Sequence, residues 1–155
     1  MSVLSTLRFL SVLFAALALV PAGSHLCSLV SKMRLSDTEY LAAQRAYDGW
    51  SLFGIVIFAA LFSTLALAVV SYRRGRPYGL VAAAFLCIAA TQGIFWTWTF
   101  PANQATANWT MLPDGWESLR TQWEYSHAAS ALFNLAALVL LVLALVRETE
   151  TGAGG

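Results

Sequence analysis

Four long stretches of this sequence contain no Asp, Glu, Lys or Arg. They cover residues 9–31, 49–72, 77–113 and 125–146. A helix needs about 20 predominantly apolar residues to cross the hydrocarbon core of a bilayer, and each stretch is long enough. Charged residues make up 11% of the chain, well below the roughly 25% of soluble domains. The sequence therefore predicts an all-α protein, an integral membrane four-helix bundle.

The charge pattern also sets the boundaries of the predicted domain. Residues 1–147 form a single transmembrane domain, and 148–155 form a flexible tail. The predicted spans cover residues 5–31, 51–72, 78–100 and 124–146, with Pro101 ending the third span. A cleaved signal peptide is an alternative interpretation of the N-terminus, because Arg8 precedes a short apolar run and then small residues.

The connection after the first span carries a helix signal of its own. Ser36 and Glu39 have the spacing of a capping box, in which each side chain satisfies a backbone amide at the start of a helix. Tyr40, Gln44 and Tyr47 follow at helical spacing and share one face. We predict a short amphipathic helix in this first extracytoplasmic loop.

Basic residues set the expected orientation, because cytoplasmic loops carry an excess of Lys and Arg. The tight turn at 73–76 contains three arginines and should be cytoplasmic. We therefore predict that both termini lie on the cytoplasmic side of a bacterial inner membrane. A net charge of +1 without a basic tract gives no electrostatic case for nucleic acid, and we expect no nucleic-acid partner.

Polar and aromatic residues gather in the predicted outer half of the bundle. On span four, Trp123, His127 and Asn134 share one helical face. Asn134 lies about two turns inside the membrane, where lipid cannot satisfy an amide. This face should therefore point into the bundle.

The other spans supply matching residues, which together predict one aromatic-walled cavity for an apolar aromatic or lipid-like small molecule. His25 lies at the outer end of span one. The candidate substrate-binding residues are Trp50, Gln92, Trp96, Asn103, Trp123 and Asn134. Glu124 and His127 also have the spacing found in carboxylate-bridged metal sites of helical bundles. Because no second such pair exists, we expect no metal.

The last third of the chain resembles a known family. The run Pro101-x-Asn103 … Trp116 … Arg120-x-x-Trp123-x-x-x-His127, entering a Leu/Ala-rich helix, is similar to the domain-of-unknown-function 1772 family of small four-helix membrane proteins. That family includes anthrone oxygenase-like proteins. His25 and the segment 35–50 resemble a bacterial branch of it, so that the similarity covers nearly the whole chain.

The resemblance implies an oxygenase or oxidoreductase that needs no cofactor and acts on a flat aromatic substrate with an acidic carbon. A base removes a proton, and the carbanion gives an electron to dioxygen. The chain has groups suited to this chemistry. They are His127 or His25 as base, Glu124 as orienting group, Trp96 and Trp123 as the walls of a slot, and Asn103 and Gln92 as donors to the enolate oxygen.

A second hypothesis is a non-catalytic membrane protein. It would be a binding or accessory subunit for a lipid, a quinone or a protein partner, and it could form a homo-oligomer. The two hypotheses differ in what they require of the histidines. Enzyme chemistry requires that His25 and His127 converge on one cavity, whereas interfacial caps would sit on separate faces.

Overall fold

A computed structural model describes the backbone of residues 2–153 and the side chains of residues 2–148. The described chain is helical apart from short connections. Four helices are long and apolar enough to cross a membrane, and they cover Val3–Lys32, Trp50–Arg73, Gly79–Ala105 and Trp116–Glu148. The prediction of an all-α chain with four long apolar helices is confirmed, and these helices could cross a membrane.

Residues 2–153 form six α-helices. They are α1 (Val3–Lys32), α2 (Asp37–Gln44), α3 (Phe53–Arg73), α4 (Gly79–Ile94), α5 (Phe100–Ala105) and α6 (Trp116–Ala153). Short 3-10 turns at Arg45–Tyr47 and Trp50–Leu52 connect α2 to α3, and a π-helical turn at Phe95–Thr99 joins α4 to α5.

The four long helices run alternately up and down. α1 packs against α3 and α6, and α4 packs against the same two helices from the other side. The start of α1 and the end of α6 meet through an ion pair between Arg8 and Glu148. Both residues lie beside Pro77 in the α3–α4 turn. We call this the turn end of the bundle, and the opposite end, which carries His25 and His127, the histidine end.

The apolar core fills the half of the bundle toward the turn end. Its buried members include Leu67, Val81, Ala84, Ala137 and Leu141. Small residues such as Ala84, whose side chain is fully buried, let membrane helices approach closely. Close packing here leaves the remaining space in the bundle at the histidine end.

The third span does not end at Pro101, and this prediction was wrong. The helix widens before the proline, where the amide of Phe100 donates to the carbonyl of Phe95, five residues earlier. Proline has no amide hydrogen and its ring crowds the preceding turn, and a π turn accommodates both effects. The helix then continues to Ala105.

The fourth long helix begins earlier than expected, at Trp116 rather than near residue 124. The predicted loop at 101–123 is therefore reduced to residues 106–115. At the other end, the helical backbone continues to Ala153, which covers most of the segment predicted as a tail. Gly154 and Gly155 lie outside the described residues, and the flexibility of 148–155 stays a prediction.

The first connection contains the helix α2 where the capping box predicts it. The backbone amide of Ser36 donates to the Glu39 carboxylate at 2.9 Å, and the Ser36 hydroxyl donates at 2.7 Å. These bonds lower the pKa of Glu39, because they favour the charged carboxylate. Tyr40 and Gln44 are buried, so that one face of α2 packs onto the histidine end of the bundle.

Candidate functional site

A cavity of about 540 Å³ occupies the histidine end. It lies among α1, α3, the third span and α6, and the first connection covers part of it. Nine phenylalanine, tyrosine and tryptophan rings and both histidines line it, together with ten other polar side chains. This size and composition are usual for a small-molecule site, which typically occupies about 300–1,000 Å³.

The two histidines of the chain meet at this cavity. The rings of His25 and His127 are stacked, with centroids 4.3 Å apart and an angle of 28° between their planes. Both side chains line the cavity. The convergence that separates the two sequence hypotheses is therefore present.

Aromatic rings surround the histidine pair. The centroid of the Trp123 ring lies 4.8 Å from that of His25 and 4.3 Å from that of His127. The Trp123 ring is nearly edge-on to the His25 ring. Tyr47 approaches His25 to 4.4 Å between centroids, and Trp50 packs edge-on against Tyr47. Tyr47 reaches the site because the connection after α2 folds back over the bundle, and the sequence did not predict this role.

A buried ion pair lies directly behind the histidines. The Lys32 ammonium is 2.6 Å from a carboxylate oxygen of Glu124, and the two side chains are only 4% and 0% exposed. The same ammonium lies 3.1 Å from Nδ1 of His25. Tyr40 donates its hydroxyl proton to the other Glu124 oxygen at 2.9 Å. Four side chains thus form one chain of contacts from α2 to the cavity.

Tyr40 holds its proton in this environment. Burial raises its pKa, and the negative charge of Glu124 raises it further. A protonated phenol is the form that can donate to a carboxylate. Tyr40 therefore orients Glu124 from outside the spans.

The expected role of Glu124 needs correction. We predicted that it orients His127, but its carboxylate binds Lys32 and Tyr40, and Glu124 is not among the residues that line the cavity. The physical reason is the buried cation, which attracts the carboxylate more strongly than a neutral ring does. Lys32 instead lies between Glu124 and His25 and contacts both.

The Glu124 carboxylate pairs with Lys32. Glu124 and His127 therefore do not have the geometry of a shared metal site. Across side chains 2–148, no three His, Cys, Asp or Glu residues gather as potential metal ligands.

All six predicted substrate-binding residues line the cavity: Trp50, Gln92, Trp96, Asn103, Trp123 and Asn134. Asn134 is 3% exposed, and its amide forms no hydrogen bond to the described side chains or backbone. Buried polar groups are normally paired. An unpaired amide on a cavity wall points to a molecule within the cavity, either water or ligand.

Two of these residues also contact other side chains of the site. Asn103 accepts a hydrogen bond from the Trp123 indole at 2.7 Å, so that it fixes that ring. Trp96 packs on Phe95 and Phe100 and lines the cavity together with Trp123. The rings beside the histidines are Tyr47, Trp50 and Trp123.

The cavity reaches the side of the bundle between α3 and the third span. Phe58 of α3 is 45% exposed and Trp96 is 57% exposed, although both line the cavity. Asp48 and Asn108 line it near the connections. The cavity therefore has an apolar lateral opening and a more polar edge.

No protein-family model matches this chain, and comparison with curated proteins and with solved structures finds no match either. The resemblance noted from the sequence stays a prediction.

Lys32 is the most important residue that the sequence analysis missed. His25 and Lys32 are seven residues apart on α1, and this spacing places two side chains on the same helical face. That signal was available in the sequence. Tyr40 and Tyr47 gave no comparable signal, because their positions depend on how the connection folds.

Proposed function

We propose that this protein binds a flat, apolar aromatic molecule in the cavity and acts on it as a cofactor-free oxygenase, with His127 as the base. The observation that carries the proposal is the stacked histidine pair at the wall of an aromatic cavity of about 540 Å³. Enclosed imidazoles beside an apolar slot suit the removal of a proton from an acidic carbon. The family resemblance supports the same chemistry.

The proposed reaction uses dioxygen as its only co-reactant. His127 removes one proton from a CH2 group beside a carbonyl, and the resulting carbanion transfers one electron to dioxygen. The carbon radical and superoxide combine, and the peroxide takes up the proton from His127. Loss of the second C–H proton and cleavage of the O–O bond give a new carbonyl and water. One CH2 group and one O2 thus yield one C=O and one H2O.

His127 is better suited than His25 to be the base. Its ring nitrogens form no hydrogen bond within the described part of the chain, and its ring lines the cavity. His25 is already engaged at Nδ1 by Lys32. A base needs a free lone pair within reach of the proton that it abstracts.

Oxygen uptake tests this function directly. Purified protein in detergent micelles, supplied with anthrone as the probe, should consume one O2 for each anthraquinone formed, at a rate above that of empty micelles. Binding of anthrone without uptake above the micelle control would contradict the oxygenase. That outcome would favour the non-catalytic binding subunit instead.

We propose that the substrate reaches the cavity from the lipid, through the lateral opening between α3 and the third span. Apolar aromatic molecules concentrate in bilayers, and the exposed rings of Phe58 and Trp96 flank this route. Gly54 also lines the cavity, and a Cβ built there meets nothing within 4 Å. A large side chain at Gly54 therefore has space to enter the opening.

We expect Gly54→Phe to weaken binding of an aromatic ligand at least tenfold, since the new ring competes for the cavity. Gly93→Phe is the matched control. It is also a helical glycine with free space around its Cβ, but it does not line the cavity. Tryptophan fluorescence titration with anthraquinone measures both variants. Equal weakening by both variants, or by neither, would contradict binding of the ligand in this cavity.

We further propose that both termini are cytoplasmic in a bacterial inner membrane and that the histidine end faces outward. The support is the excess of arginine at the turn end, where Arg8 and the turn at 73–76 lie on the same side. Alkaline phosphatase fused within 73–77 should be inactive, and a fusion within 106–115 should be active. The reverse pattern would overturn the orientation.

A further inference from the structure

We propose that Lys32 is a positioning residue that fixes the proton of His25 on Nε2. His25 then offers an N–H to an oxygen atom of the bound molecule, while His127 remains the base. The place of the proton follows from the contacts of Lys32 alone. That this oxygen belongs to a carbonyl or enol group of an aromatic substrate rests on the proposed function.

The inference begins with the donors and acceptors. A lysine ammonium has three N–H donors and no acceptor. Its nitrogen lies 3.1 Å from Nδ1 of His25, so that Nδ1 must be the acceptor. A neutral imidazole that accepts at Nδ1 carries its proton on Nε2. The contact therefore selects one of the two tautomers.

Glu124 and Tyr40 keep Lys32 in this role. The Glu124 carboxylate pairs with the Lys32 ammonium at 2.6 Å, and Tyr40 anchors the other carboxylate oxygen. All three side chains are buried, and α1, α2 and α6 each contribute one of them. Such a chain of groups determines which hydrogen bond a catalytic ring can make, much as outer partners orient metal-bound histidines.

The resulting N–H has no acceptor in the protein, as far as residues 2–148 are concerned. An apolar molecule that fills the cavity would leave this donor without a partner, which costs free energy. A ligand that supplies an oxygen there removes this cost, whereas a plain hydrocarbon does not. The site should therefore take flat aromatic ketones or enols in preference to aromatic hydrocarbons of the same shape.

This arrangement divides the chemistry between two adjacent rings. As His127 takes a proton from carbon, negative charge develops on the carbonyl oxygen of the same molecule. A fixed donor at that oxygen stabilises the enolate, and the His25 ring lies only 4.3 Å from His127. Lys32 thus acts on the substrate through His25 without touching it.

Nitrogen NMR of the histidine rings tests the tautomer without any substrate. The chain has two histidines, so that 15N-histidine labelling gives a simple spectrum, and His127→Phe assigns it. We expect His25 to show a pyridine-type Nδ1 and a pyrrole-type Nε2. In the double variant Lys32→Met/Glu124→Gln, which keeps an acceptor for Tyr40, the signals should shift toward a mixture of tautomers.

The exposed pair Arg45–Asp48 supplies the control, because Arg45→Met should leave the His25 signals unchanged. A pyrrole-type Nδ1 in the unaltered protein would overturn the inference. So would an unchanged His25 spectrum in a folded double variant. Neither result would depend on whether the protein consumes oxygen, so that a failure here is distinct from a failure of the proposed function.

Two ligands of the same shape test the predicted preference. Anthraquinone has carbonyl oxygens and anthracene has none. After correction for partition into micelles, anthraquinone should bind about tenfold more tightly, as one additional hydrogen bond allows. The preference should largely disappear in Lys32→Met/Glu124→Gln. Equal affinities in the unaltered protein, or a preference that the double variant retains, would contradict the role of Lys32.

Discussion

Replacing His127 by alanine should lower the rate of anthrone-dependent oxygen uptake by about 10²–10⁴-fold, the usual contribution of a general base. The physical reason is the loss of the only cavity-lining imidazole whose nitrogens are free in the described structure. The measurement is the initial rate of oxygen uptake at saturating anthrone in micelles.

His127→Phe is the matched control for this result. A phenyl ring can keep the stacking on His25 and the edge contact to Trp123, but it has no nitrogen. Anthraquinone binding should survive this change within a few-fold while turnover is lost. If His127→Phe retains turnover, His127 is not the base.

Replacing Lys32 alone by methionine should lower the free energy of unfolding more than the double variant Lys32→Met/Glu124→Gln or Arg45→Met does. The change leaves the Glu124 carboxylate fully buried without its cation, and breaking a buried ion pair in this way costs about 3–5 kcal/mol. Equilibrium unfolding in mixed micelles measures the free energy of unfolding. We expect Lys32→Met to lower the free energy of unfolding by an amount in that range.

Two companion variants test the physical reason for this loss. Lys32→Met/Glu124→Gln removes both charges and should recover most of the lost stability, because no unpaired charge remains. Arg45→Met breaks an ion pair whose side chains are more than 70% exposed and should cost at most about 1 kcal/mol. A double variant as unstable as Lys32→Met would show that the charge on Glu124 is not responsible.

Much of the fold could be predicted because a bilayer imposes simple requirements on a sequence. Long charge-free runs predict the four spans, and the capping box at Ser36 predicts α2. The error at Pro101 has a local cause. The cost of a proline depends on the hydrogen-bond pattern of the turn before it, and a π turn is not visible in the hydrophobic pattern.

The positions of site residues were predictable where membrane depth and helical face determine which way a side chain points. Asn134 and His127 share a face on one helix, and an amide at that depth must face the interior. The role of Glu124 was not predictable in this way, because its partners Lys32 and Tyr40 come from distant segments. Which of two nearby groups a carboxylate binds depends on how separate helices dock, and sequence spacing on one helix says nothing about that.

The α1–α6 contact has an ion pair at each end, Arg8–Glu148 and Lys32–Glu124. Twenty-four positions separate the two basic residues on α1, and the same number separates the two acidic residues on α6. At 1.5 Å per residue this is about 36 Å, between the thickness of the hydrocarbon core and that of the whole bilayer. The two pairs therefore hold α1 and α6 in one register over nearly the whole length of their contact. Inserting or deleting one residue between the paired positions of either helix would shift one pair out of register while the other is kept.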